Sequence, residues 1–221
     1  MNYFAHGLHY LDRPYFLAGA AVPDWLNVVD RRVRVRSRHA REFTADADPC
    51  VAEIAQGIVQ HHADDAWFHE TRAFAELSLE LSRRIRALLP DEDGLRPSFL
   101  GHILVELLLD AELIAAAPER LERYYEAMGE IDPQRVEWAV NRMAPRGPAE
   151  LARWIPRFSA ERFLSDYLED ATLCFRLNQV MRRVRLAALP DAFAEVLPDV
   201  RRLVRQRQVE LLTPRHGEVF Q

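Results

Sequence analysis

The sequence predicts an all-α fold, one compact multi-helix domain, on three observations. Apolar residues recur at spacings of three and four through most of the chain, the period of a helix with one buried face. Strict two-residue alternation is almost absent. Its one candidate, Val33-Arg34-Val35-Arg36, is short and flanked by more arginine, and reads as helix or loop. The 13 prolines fall mostly between periodic segments and glycine is scarce, so proline punctuates helices. With 49 % apolar residues over 221 positions, a sizeable core can be buried.

Taken in order, a short helix is expected from about Tyr15 to Ala20, and Pro23 opens a new segment leading into an arginine-rich stretch. Asp48-Pro49 supplies an N-cap acid and a first-turn proline for a helix through Val51, Ile54 and Ile58 to His61 or beyond. Phe74, Leu77, Leu81, Ile85 and Leu88 then mark one face of a further helix. Residues 90–96 read as a loop. Pro97-Ser98 opens a strongly apolar helix to about Ala115. Pro118 and Pro133 each start another, and Pro145, Pro148 and Pro156 suggest a broken connection. Ser159 is read as the cap of a long helix, with Glu161 or Arg162 in its first turn and an end near Leu189. The last helices run from Ala192 to Leu197 and from Pro198 to Leu212.

A net charge of -5 argues against a general nucleic-acid binder, which is normally basic. All 29 basic residues are arginine, so any phosphate clamp must be built from guanidinium groups. Cys50 and Cys174 form no CxxC pattern and read as free thiols of a reducing compartment, which makes a cytoplasmic protein the expectation. The opening MNYFAHGLHY lacks the basic flank and apolar run of a signal peptide. No stretch of about 18 uncharged apolar residues appears, so no membrane span is expected.

Two helical segments interrupt apolar faces with metal-type residues. In GIVQHHADDAWFHE, His61, Asp65 and His69 are spaced i, i+4, i+8 and continue the stripe of Ile54 and Ile58; His62 neighbours Asp65 on the same side. Asp65 is therefore expected to face the core. Imidazoles and carboxylates on such a face are costly unless paired or metal-bound. His61 and His69 stand about 12 Å apart along a helix axis, too far to share one ion easily. In SFLGHILVELLLDAELI the polar line is His102, Glu106 and Asp110, again at i, i+4, i+8. Gly57 and Gly101 permit close helix approach near the two sets. A solvated face with local Asp–His pairs would explain the same spacings. His6, in MNYFAH, and Asp24, in AGAAVPDW, could complete an N/O ligand shell.

The order of these pieces resembles the bacterial acyl-carrier-protein phosphodiesterase family, a divergent all-helical relative of the HD-domain phosphohydrolases. MNYFAH is similar to the family's MNFLAH opening, GAAVPDW to a glycine-containing segment ending in aspartate and an aromatic, GIVQHHADDAWFH to a GxxxHxxxDxxxD helix, and His102–Glu106 to a later acid pair at i, i+4. The likeness covers roughly the first 115 residues. It implies an HD-like metal-site core over 1–115 and a helical completion over 116–221. His69 and His102 stand where the family has acids, and the extra imidazole favours Mn, Fe or Zn over Mg.

The resemblance implies a hydrolase. Asp24, His61 and Asp65 would be metal ligands, with His6, His62 and Glu106 as further ligands. His6, His69, His102 and Glu106 would serve a second ion or do general acid–base work beside Asp65, with a bound divalent cation activating water for attack on phosphorus. The substrate would be a phosphorylated small molecule or an acidic carrier protein. The run Arg31 to Arg41 reads first as a solvated charged face; Arg31, Arg32, Arg34 and Arg36 are the candidates for docking phosphate or an acidic partner. The competing class is a non-catalytic helical protein whose His/Asp cluster is structural.

Overall fold

The computed structural model describes residues 1–89, 96–147 and 150–213, and every regular element among them is helical. The fold is all-α, as the periodicity predicts. Helices α1 (Tyr3–Gly7), α2 (Pro14–Val29), α3 (Ser37–Arg41), α4 (Pro49–Glu70), α5 (Arg72–Leu88) and α6 (Pro97–Ala116) are followed by α7 (Pro118–Gly129), α8 (Pro133–Met143), α9 (Leu151–Glu161), α10 (Asp170–Arg183) and α11 (Leu197–Leu212). Two 3-10 helices, Phe163–Leu168 and Asp191–Val196, flank α10. No helix among the described residues is long and apolar enough to cross a membrane. The loop read at 90–96 lies, apart from Arg96, outside the described residues, as does Pro148.

Capping explains the starts. The Asp48 carboxylate accepts from the Cys50 N–H at 3.0 Å, and Asp132 accepts from Gln134 N–H at 2.9 Å. Thr71, between α4 and α5, accepts from Phe74 N–H and donates to the Phe68 carbonyl, which fixes that corner.

Several sequence boundaries fail, among them the helix end expected near Leu189, since α10 stops at Arg183. Pro23 does not open a segment: it lies inside α2. A mid-helix proline loses one backbone bond, but Trp25 and Leu26 beyond it are completely buried and hold the helix to its course. Nor does Ser159 cap a long helix. It lies inside α9, as does Pro156, because Leu151, Ile155 and Phe158 form a continuous buried face across that proline. Arg162 then adopts a left-handed conformation, with φ of 45°, and ends the helix.

The chain sorts into two compact units, each drawing on both sides of the 115/116 boundary. The first comprises Met1–Ala66 and Ala117–Phe163. Its α1 packs on α2 and α7, α2 also meets α7 and α9, and α8 packs on α9. Phe158 is the hub of its core, with Tyr3 and Trp25 rings centred 5.1 and 5.3 Å away. The second comprises Trp67–Ala116 and Leu164–Gln221, where α5 and α6 lie side by side and α11 packs on both.

In the first unit α4 meets α2 backbone to backbone at Gly57. A Cβ there would stand 2.1 Å from the Phe16 carbonyl oxygen and 2.7 Å from the Ala20 nitrogen. In the second, a Cβ at Gly101 would meet the Ser78 carbonyl at 2.5 Å. Both glycines permit the close approach expected of them. Gly57→Ala should therefore cost about 1–3 kcal/mol or more by overpacking. Gly129→Ala, where a Cβ meets nothing within 4 Å, should change stability by about 0.5 kcal/mol at most. Thermal and urea melts of the two variants check this; superimposable curves would contradict the close crossing.

Candidate metal centre

The metal-type residues resolve into two groups, one in each unit. In the first unit, His6, His61 and Asp65 each place a ligand atom within 4.8 Å of the others. His6 comes from α1 and the other two from α4. The imidazoles of His6 and His61 stack with centroids 4.0 Å apart and planes 24° from parallel. Their Nδ1 atoms are tied down from behind: His6 Nδ1 lies 3.1 Å from Asp64 Oδ2, and His61 Nδ1 lies 2.8 Å from the Ala20 carbonyl. Each Nδ1 thus carries its proton toward an oxygen, and each Nε2 is turned to Asp65. His6 Nε2 lies 3.3 Å from Asp65 Oδ1, and His61 Nε2 lies 3.4 Å from Oδ2. His6 Nε2 is buried and meets no partner in good hydrogen-bond geometry among the described residues, Asp65 Oδ1 being its ionic neighbour.

These spacings suit a cation. Ligand atoms about 2.1 Å from a tetrahedral ion stand about 3.4 Å from one another. Asp65 already attracts positive charge, since the Met1 α-amino group donates to Oδ1 at 2.7 Å. Burial would raise its carboxyl, but the contacts with His6 and His61 and the charge of that amino group hold it well below the usual range. Burial opposes a charge on His6, yet Asp64 and then Asp65 outweigh it and raise its pKa.

Sequence reasoning missed Asp64. It is buried and orients His6, with Gln60 Nε2 donating to its other oxygen at 2.7 Å. Asp65, expected to face the core, is 32 % exposed. The signal was present: Ile58, His61, Asp64 and Phe68 step by three, three and four along one helix face, and all four are buried.

Two predicted ligands belong to neither group. His62 uses Nε2 on the Val35 carbonyl at 2.8 Å, and burial lowers its pKa. Asp24, half-buried within α2, has no ligand atom in either group among the described residues.

In the second unit, His69, His102 and Glu106 form the other group. Both imidazoles direct Nε2 at Glu106 Oε1, at 2.7 and 3.3 Å. Burial would raise the Glu106 carboxyl, but positive charge and contacts with His102 and His69 hold it down at about 2. Asp110, the third member of that helix's polar line, is fully buried and is not in the group.

The arginine segment is neither helix nor strand from 33 to 36. Val33 and Val35 are buried while Arg31, Arg32, Arg34 and Arg36 are exposed. Arg32 is engaged by Asp30, through Nε at 3.1 Å and a second nitrogen at 3.2 Å. Comparison with known protein families, curated proteins and solved structures finds no match to this chain.

The raised His6 pKa has a signed consequence. Protonated His6 stabilises the ion-free fold fully below its unfolded value of about 6.5. That contribution is lost as pH rises through the higher folded value. The melting temperature of metal-free protein should fall as pH climbs above about 6.5, and His6→Asn should flatten that limb. A melting temperature that rises over the same limb in the unsubstituted protein would contradict the assignment.

Proposed function

We propose that the protein is a divalent-metal-dependent phosphoester hydrolase whose ion is held by His6, His61 and Asp65. One observation carries this reading. Two stacked imidazoles have Nδ1 fastened to oxygen acceptors and Nε2 turned to one carboxylate, with His6 Nε2 buried and meeting no partner in good hydrogen-bond geometry among the described residues. Metal-binding histidines are oriented in this way, by a carboxylate or carbonyl on the ring nitrogen away from the ion. The resemblance of the motif order to that of acyl-carrier-protein phosphodiesterases supports phosphorus chemistry and points to a phosphopantetheine carrier or a related phosphodiester as substrate.

When bound, the ion supplies Lewis-acid polarisation and lowers the pKa of water. The protein's own residues set the geometry. Asp64 and the Ala20 carbonyl keep both rings in the tautomer that presents a lone pair at Nε2. Asp65 supplies the negative charge that retains a cation, and its partial exposure leaves substrate a way in. Arg34 and Arg36 stand on a segment anchored by Val33 and Val35, and His62 ties that segment to α4. Their guanidinium groups would attract a phosphate or an acidic carrier.

The test is elemental analysis of purified protein together with hydrolysis of a generic phosphodiester and of a phosphopantetheinylated carrier, with Mn, Mg or Zn supplied. Bound metal and cleavage of either substrate are expected, with Asp65→Asn losing cleavage and the equivalent of metal held by the His6 group. Asp64→Asn should weaken metal affinity or turnover by about 10- to 100-fold, because it removes only the orienting carboxylate. Neither metal nor cleavage in the unsubstituted protein would replace the enzyme with the structural alternative. An Asp65→Asn protein as active as its parent would place the site elsewhere.

A further inference from the structure

We propose that His69, His102 and Glu106 form a transition-metal site of their own in the second unit, selective for a Zn-like ion over Mg. The inference goes beyond the hydrolase reading and does not rest on it, since no residue is shared with the His6 group.

Three features of the second unit support this site. The first is convergence. Both imidazoles present Nε2 to the same Glu106 oxygen, and all three ligand atoms lie within 4.8 Å of one another. A cation bound among these atoms displaces the two Nε2 protons to water, takes the freed lone pairs and keeps the carboxylate.

The second feature is pre-organisation. His102 and Glu106 are one turn apart on α6, the helix that Gly101 lets settle against α5. His69 lies in the last turn of α4, beside the corner that Thr71 locks. The buried Phe74 ring touches both imidazoles, with centroids 4.8 Å from His69 and 4.8 Å from His102. One rigid apolar side chain thus holds both rings, and little ordering cost remains for an ion to meet.

The third feature is access. His69 and His102 are 33 % and 42 % exposed and Glu106 13 %. Three protein ligands on an accessible face leave coordination positions open for water or a small ligand. Two nitrogens and one carboxylate suit Zn, Co, Fe or Mn, with affinity rising from Mn to Zn. Mg prefers an all-oxygen octahedral shell and is disfavoured here.

The experiment uses the full chain and titrates Zn, Mn and Mg separately, by calorimetry and by elemental analysis after dialysis. Zn should bind the second group, Mn more weakly, and millimolar Mg not at all. The double variant His69→Asn/His102→Asn and the single variant Glu106→Gln should each lose one equivalent of Zn, whereas Asp65→Asn loses a different one. In the unsubstituted protein, nitrogen NMR of the histidine rings should show the Nε2 signals of His69 and His102 moving to the metal-bound range on adding Zn. That readout does not depend on any variant folding. Unmoved His69 and His102 signals at saturating Zn would overturn the proposal, as would full Zn stoichiometry in the folded double variant. Loss of Zn only from the His6 group would support the hydrolase centre and defeat this one. The reverse result would defeat the hydrolase centre and leave this one standing.

Discussion

The missing side chain at Gly57 lets α4 rest on the backbone of α2, against the Phe16 carbonyl and the Ala20 nitrogen. One turn further along α4, His61 then finds the Ala20 carbonyl 2.8 Å from its Nδ1. Any larger residue at position 57 would separate the backbones and remove that acceptor. His61 would lose its fixed tautomer, and the stack of His6 on His61 would lose its reference plane. Asp64 holds the other ring from the opposite partner, so two histidines from distant parts of the sequence meet with their unused nitrogens turned the same way. The geometry of the cluster therefore depends on a backbone contact as much as on its own side chains.

Much of the helix pattern was legible because local physics states it directly. Asp48 and Asp132 cap the helices that their sequence neighbourhood announces, the face of α5 follows three- and four-residue spacing, and α6 is buried nearly all round. The misreadings at proline have one cause. Proline was taken as a stop at Pro23 and Pro156, yet the buried faces of α2 and α9 run past both. One lost backbone bond is a local term, while the burial of Trp25 or Phe158 is decided by residues far away in sequence. Arg162, in the left-handed region without being glycine, carries no local signal at all.

The ligand lines were legible in type but not in grouping. Stepping by four from His61 gives Asp65 and His69, and this suggested a single row. A buried helix face also advances by three, and that step from His61 gives Asp64, whose carboxylate turned out to be the orienting one. His69 instead joins residues of α6, which only tertiary packing can decide. Asp65 and Glu106 are alike as sequence symbols. Asp65 receives two stacked rings, and Glu106 receives two rings held by a single phenylalanine.

The arginine segment shows how a solvated charge run gains a defined position. Charge density alone would leave Arg31 to Arg36 as a mobile coat. Here Val33 and Val35 are buried at alternate positions, and the intervening arginines must point outward. Arg32 spends its guanidinium on Asp30, leaving Arg34 and Arg36 as the outward cations beside the anchored valines. The Val35 carbonyl receives His62, the residue adjoining His61 on α4. A hydrogen bond from that ring therefore fixes the distance between the positive segment and the metal-type residues. The outward arginines thus belong to a segment hydrogen-bonded to α4 at the residue next to His61.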